Sequence, residues 1–272
     1  MQSYYPKGMP VFRMSNQIHE TYAGEDNLSA KHYVLWSGGC DSTLLLFELL
    51  QEYGSDNVVA VSYNYPWLDK IKHDSEVAYR NAFKAKMNLR GSRYANFKHI
   101  ELEIGSTSDK GFAWPVSGGL PQAIAWLLSI PLYMNDGDYV YEGGIKEDDL
   151  TLFTDEYQSI VDNISTILGR KIKLRRPYLY YRKADIIDKL IRYDIYDCTW
   201  YCEMPRDVGT PCCHCVPCAT HINALVYLTQ MSNDSFVKEV VNRKIEYISE
   251  LKNSTRIDTI CEEASEKEIQ RS

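Results

Sequence analysis

Residues 34–43, Val-Leu-Trp-Ser-Gly-Gly-Cys-Asp-Ser-Thr, constrain the fold more than any other stretch of the chain. An apolar run over 32–36 stops at Ser37-Gly38-Gly39, and a dense apolar block, 44–50, begins almost at once. That pattern reads as a buried strand, a tight glycine turn and a buried helix. Glycines let the backbone approach an anion closely. The first N–H groups of the helix have no partner within it, and the helix dipole adds positive potential at the same place. Ser37 and Ser42 contribute hydroxyls, so the turn is a candidate phosphate cradle. No lysine follows the glycines, which separates it from the common G-x-x-x-x-G-K loop.

The flanking segments support an α/β reading. Residues 58–63 form a second β-branched run, as in a buried parallel strand. A polar helix follows over about 73–87, then an alternating strand over 98–104 that belongs nearer an edge. Strand, helix, strand, helix, strand predicts a doubly wound, mostly parallel sheet. Ligands sit at the carboxyl ends of strands in such sheets, which places Ser37 and the Tyr63-Asn64 region at the site, the second facing a nucleoside. Further on, 120–134 reads as a buried helix and 139–142 as a short strand ending in Gly143-Gly144, beside Lys146, Glu147, Asp148 and Asp149. A helix over 153–168, a basic strand near 171–176, a helix opening at 181–187 and helices over 219–228 and 236–251 complete the pattern. The expected organisation is an arm (1–30), an α/β domain carrying the phosphate cradle (31–195), a metal-binding and helical region (196–255) and a polar, frayed tail (256–272).

Composition narrows the class. Net charge is −7, so no global field draws in nucleic acid. No apolar run reaches the roughly 18 residues of a membrane helix, and the polar first 27 residues lack a signal-peptide core, so a cytoplasmic protein is expected. Five of the eight cysteines fall at 202, 212, 213, 215 and 218, and such clustering in a chain of this kind favours a metal over disulfides. Cys202, Cys212, Cys215 and Cys218 stand nine, two and two residues apart, which suits four thiolates around one structural zinc. An iron–sulfur cluster is the competing reading. Cys198 is an alternative to Cys202, while Cys213 and His214 are expected to point away.

Ser37, Gly38, Gly39, Asp41 and Ser42 match the S-G-G-x-D-S signature of the PP-loop ATP pyrophosphatases, which the chain therefore resembles. Together with the cysteines, the residues resemble one family within that group, the 7-cyano-7-deazaguanine synthases. Thr199-x-x-Cys202, then Cys212-Cys213-His214-Cys215-Val216-Pro217-Cys218, follows the family's T-x-x-C and C-G-x-C-x-x-C, with Cys213 where the family has Gly. Pro177 to Ile186 resembles its P-L-x-x-x-x-K segment, and His73-x-x-Glu76 its H-x-x-E. The likeness covers about residues 32–225. It implies an ATP-dependent carbon–nitrogen ligase that adenylates a carboxylate and converts 7-carboxy-7-deazaguanine plus ammonia to the nitrile. It implies that Ser37, Gly38, Gly39, Asp41, Ser42 and Tyr63 bind ATP, and that Asp41 and Lys183 act in catalysis. Asp41, or Asp148 with Asp149, would hold Mg²⁺. A homodimer is implied by the resemblance alone, and nucleic acid is not an expected direct partner. One departure stands out: the family's V-P-G-R-N is replaced by Trp114-Pro115-Val116-Ser117-Gly118-Gly119-Leu120-Pro121-Gln122. Loss of that Arg-Asn favours a different carboxylate, as in defence-related enzymes. A third reading, a zinc-stabilised nucleic-acid-binding module without catalysis, rests on Lys171, Lys173, Arg175 and Arg176.

Overall fold

The computed structural model describes residues 30–64, 70–103, 122–148 and 153–269. The expected N-terminal arm up to residue 29, the stretch 114–121 and Asp149 lie outside them. Five strands form one sheet: β1 (His32–Leu35), β2 (Val58–Asn64), β3 (Lys98–Glu103), β4 (Tyr139–Tyr141) and β5 (Lys173–Arg175). Their order is β3-β2-β1-β4-β5, and every pairing is parallel. The strand order reverses beside β1, so the crevice above β1 and β4 is where a ligand belongs. The alternating third strand does lie at an edge.

Seven α-helices among the described residues cover both faces: α1 (Cys40–Tyr53), α2 (Lys70–Leu89), α3 (Gln122–Ser129), α4 (Thr154–Leu168), α5 (Lys183–Arg192), α6 (Val216–Met231) and α7 (Ser235–Ile269). Side chains along each strand alternate between the two layers. Val34, Val58, Ala60, Tyr139 and Tyr141 pack with residues of α1, α2, α5, α6 and α7. Tyr33, Leu35, Val59, Val61, Tyr63 and Val140 pack with α3, the following 3-10 turn and α4. Residues 44–47, 49 and 50 of α1 are at most 3% exposed. Each such side chain contributes roughly 1.5–3 kcal/mol of transfer free energy, which explains why α1 is fixed so firmly behind the glycine turn. The one carboxylate in that block, Glu48, accepts hydrogen bonds from Tyr178 Oη (2.6 Å) and Lys189 Nζ (3.0 Å).

Two boundaries differ from expectation. The helix expected over 120–134 ends at Ser129, and Ile130–Tyr133 forms a 3-10 turn. Pro131 removes the N–H that would continue the helical ladder. The last helix runs on to Ile269, past the point where a frayed tail is expected. No Gly or Pro interrupts that segment, and Glu, Lys, Ala and Arg within it favour helix. No helix among the described residues is long and apolar enough to cross a membrane.

Candidate active site and metal centre

The end of β1 turns sharply into α1 through Gly38, whose φ is +90°. A Cβ on Gly38 would stand 3.2 Å from the Glu76 carbonyl oxygen and from Arg80 Cγ, so both conformation and space require glycine. Gly39 is the residue before α1 and offers no side-chain cap. The first N–H groups of α1 are therefore left for a ligand. Ser37 Oγ accepts from Gly39 N and lies 3.2 Å from Ser42 Oγ, so both serines flank the same opening. At the end of β4, Gly143 packs against the start of α1, and a Cβ there would meet Ser42 N at 3.3 Å. The second Gly-Gly pair thus forms the other edge of the turn, as its place after a strand predicts.

Lys183 is the first residue of α5, whose positive dipole end is a poor place for a cation. It is held there by Asp41, with Nζ 2.6 Å from Oδ2. Burial pulls the Lys183 ammonium down, but Asp41, Cys40 and Asp148 outweigh that and hold it above its usual range, so it is charged at neutral pH. The other oxygen of Asp41, Oδ1, is buried without a hydrogen-bond partner. Asp148 faces the same space. Its Oδ2 accepts from Ile145 N at 2.9 Å, and burial raises its carboxyl above the usual range against that hydrogen bond. Asp41, Asp148, Lys183, Ser37 and Gly39 line one cavity of about 360 Å³. A larger concavity, about 850 Å³ between α5 and α6, is a shallow charged groove with no glycine turn or buried orphan group.

Tyr63 is placed apart from this group. It is 1% exposed on the opposite face of the sheet, where its hydroxyl pairs with Ser129. Arg80 and Trp200 were not singled out by sequence. Arg80, 1% exposed, donates through Nη1 to the Ser37 carbonyl at 3.0 Å and braces the turn from below. Its only sequence signal is the Glu76–Arg80 spacing of four on a helix, a common surface pattern. Trp200 N donates to the Gly38 carbonyl at 2.8 Å, and its indole donates to the Cys202 carbonyl at 2.8 Å. One residue therefore ties the glycine turn to the cysteine segment.

Cys202, Cys212, Cys215 and Cys218 are all buried, and their Sγ atoms lie within 4.8 Å of one another. Cys202 and Cys215 are 3.9 Å apart, as are Cys212 and Cys218. Backbone N–H groups of Cys212 and Cys215 point at Cys202 Sγ (3.2 Å) and Cys212 Sγ (3.3 Å), which favours thiolates. These four can hold a metal ion. Cys198 packs in the main core instead of replacing Cys202. His214 turns its Nδ1 to the Cys212 carbonyl, 2.9 Å away. Cys213 sits in a left-handed conformation, φ +63°, with its side chain in the core. No disulfide joins the described cysteines.

Three cations of the basic strand are engaged internally, while Lys171 is exposed. Arg176 Nε pairs with Glu142 at 2.8 Å and its Nη1 donates to Thr154, while Lys173 and Arg175 lie over the Tyr139 ring.

No family model matches the chain, and no curated protein matches it. Among solved structures, it is similar to the U34-tRNA thiolase of Methanococcus maripaludis with its four-iron, four-sulfur cluster, at 14% identity and a TM-score of 0.42, covering 85% of this chain and 77% of that one. It is also similar to the NH3-dependent NAD synthetase of Campylobacter jejuni, at 13% identity and a TM-score of 0.40, covering 87% and 92%. A third is the glutamine-dependent NAD+ synthetase of Acinetobacter baumannii in complex with ADP, at 15% identity and a TM-score of 0.36, covering 83% of this chain but only 41% of that one.

Proposed function

We propose that the chain is an ATP-using ligase of the PP-loop type, which activates a carboxylate as its adenylate and passes the acyl group to ammonia. The observation that carries this reading is the Lys183–Asp41 pair at the mouth of the glycine turn, with Asp41 Oδ1 left unpartnered. A buried carboxylate oxygen without a donor is costly, and it marks a place for a ligand. In the first step a substrate carboxylate oxygen attacks the α-phosphorus of ATP. The bond to the bridging oxygen breaks, and pyrophosphate leaves with the electron pair. The free N–H groups of α1, the hydroxyls of Ser37 and Ser42 and the Lys183 ammonium would receive the charge that builds on the departing group. Asp41 Oδ1 and Asp148 are suited to Mg²⁺, which would screen the phosphate oxygens from one another. Adenylation turns a poor leaving group into a good one, and AMP then departs when nitrogen attacks.

Within that class we assign 7-carboxy-7-deazaguanine as the carboxylate and 7-cyano-7-deazaguanine as the product, a second ATP activating the intermediate amide. Support comes from the sequence resemblance, extended by one detail: Cys213 stands in for a family glycine and adopts the backbone conformation a glycine favours. The alternative, another carboxylate, is favoured by the replaced V-P-G-R-N segment. Incubation with 7-carboxy-7-deazaguanine, ATP, Mg²⁺ and ammonium, followed by mass spectrometry, separates the two. The nitrile with AMP and pyrophosphate supports the assignment. AMP release with some other acid and none with this one transfers it to the alternative.

We infer zinc as the metal. At about 2.3 Å per bond, four thiolates on one ion lie about 3.8 Å apart, close to the 3.9 Å of Cys202–Cys215 and Cys212–Cys218 in a set whose sulfurs all lie within 4.8 Å of one another. A four-iron cube inserts iron and sulfide between the thiolates and needs them farther apart. A nucleic-acid module without catalysis is disfavoured, since three of its four supporting cations, Lys173, Arg175 and Arg176, are occupied within the fold, which leaves Lys171 exposed.

A further inference from the structure

The cavity contains a second feature that adenylation does not use. Glu76 of α2 lines it and is 6% exposed, and its Oε2 has no hydrogen-bond partner. Two cations stand near without closing on it: Lys72 Nζ is 3.8 Å from Oε1 and Arg80 Nη1 3.7 Å from Oε2. Lys72 is drawn instead to Glu203, and Arg80 to the Ser37 carbonyl. Tyr201 lines the same cavity, its ring stacked 3.8 Å from that of His221, and its hydroxyl is also buried and unpartnered. Five carboxylates border the space (Asp41, Glu76, Glu147, Asp148 and Glu203) against Lys72 and Lys183. Buried oxygens without partners are costly, and they are found where a ligand completes them. Arg80 Nε and Nη2 are buried and unpartnered as well, but the guanidinium is held to the Ser37 carbonyl and stops 3.7 Å short of Oε2, so the two oxygens remain available to a small cation rich in N–H donors.

We propose that this part of the cavity is the subsite for the nitrogen nucleophile: ammonium binds at Glu76, in the space that Tyr201 also lines, and Glu76 is the base that frees ammonia for attack. The proposal rests on the ligase reading above, which supplies the acyl adenylate. Ammonium gives one proton to the Glu76 carboxylate, and the nitrogen lone pair forms the C–N bond at the acyl carbon. The C–O bond to AMP breaks, and AMP departs with the pair. After the first proton has passed to water, Glu76 takes the second from the new ammonio group, leaving a neutral amide. Burial holds the Glu76 carboxyl up to about 7, against Lys72 and Arg80 on its own helix and with Glu203 from the facing loop. A base of that strength is matched to proton transfer near neutrality.

The test uses the full-length metal-bound protein and two readouts. Carboxylate-dependent exchange of labelled pyrophosphate into ATP reports adenylation without any amine. Ammonium-dependent AMP release at varied ammonium and pH reports the transfer. Glu76→Gln is expected to keep exchange within about 2-fold, to lower kcat with ammonium about 100-fold, and to abolish the rate inflection near pH 7. Tyr201→Phe keeps the ring and is expected to raise the KM for ammonium with little change in exchange. Glu76→Asp should recover part of the rate. An unchanged ammonium KM and pH profile in Glu76→Gln overturns the proposal, as does equal loss of exchange and transfer, which would make Glu76 a support of the turn. No exchange in the parent with any carboxylate instead removes the ligase reading, and this subsite with it.

Discussion

Glu76 and Cys213 show how much a single side chain can cost its own fold. The native state holds the Glu76 proton up to a pH of about 7, while the unfolded chain releases it near 4.5. Between those values the folded protein binds more protons than the unfolded one, so stability falls as pH rises through this window. The gap corresponds to at most about 3 kcal/mol. Glu76→Gln removes it: urea denaturation at pH 5 and pH 8 should show the variant gaining on the parent as pH rises, and a constant difference would contradict the burial argument. Cys213 carries a different cost. A side chain at φ +63° is strained by roughly 1 kcal/mol, and a β-branched one suffers more. Cys213→Gly should stay within about 1 kcal/mol of the parent, and Cys213→Val should lose about 2 kcal/mol or more, as read by thermal unfolding. At this scale the sequence was informative where spacing is rigid. Ser37, Gly38, Gly39, Asp41 and Ser42 lie close enough in sequence for a single glycine turn to be expected there, and the structure has that turn. Arg80 was not, because a buried arginine under a turn looks the same in sequence as an exposed one on a helix.

The elements were legible wherever periodicity was strong. Residues 58–63, with valine at 58, 59 and 61, appear as β2, and the apolar block after the glycines appears as α1. The misplaced end of α3 has a local cause in Pro131, whose missing N–H competes with a long apolar run and wins. What could not be read was which element ends meet. The start of α5 delivers Lys183 to Asp41 on α1, and the end of β4 seats Gly143 against Ser42, contacts fixed by sheet order alone. Tyr63 shows the same limit from the other side. Its strand ends at the crevice, but the pleat sends its ring to the opposite face. Lys183→Met preserves the stem of the side chain and removes the charge. AMP and pyrophosphate formation should fall about 100- to 1,000-fold while secondary structure by circular dichroism is retained. Turnover within about 3-fold of the parent would exclude Lys183 from the chemistry.

Across the whole molecule, the metal centre and the glycine turn form one unit joined by Trp200. The four thiols bury with Trp200 in a small cluster of their own, apart from the main core, and an ion held by them would fix its geometry. Elemental analysis should find about one zinc per chain and no visible iron–sulfur absorption. Stripping the metal with a chelator should lower the midpoint of thermal unfolding. It should also weaken ATP binding by calorimetry, because the Gly38 carbonyl loses its ordered donor. Metal-free protein with the parent's ATP affinity would show the two to be independent.

That same backbone hydrogen bond, from Trp200 to Gly38, has a consequence for biosynthesis. The glycine turn leaves the ribosome before its brace and the cysteines that anchor that brace. A nascent chain therefore holds the turn without its Trp200 donor until that later segment has been made, and the turn takes its final form only after synthesis has passed the cysteines.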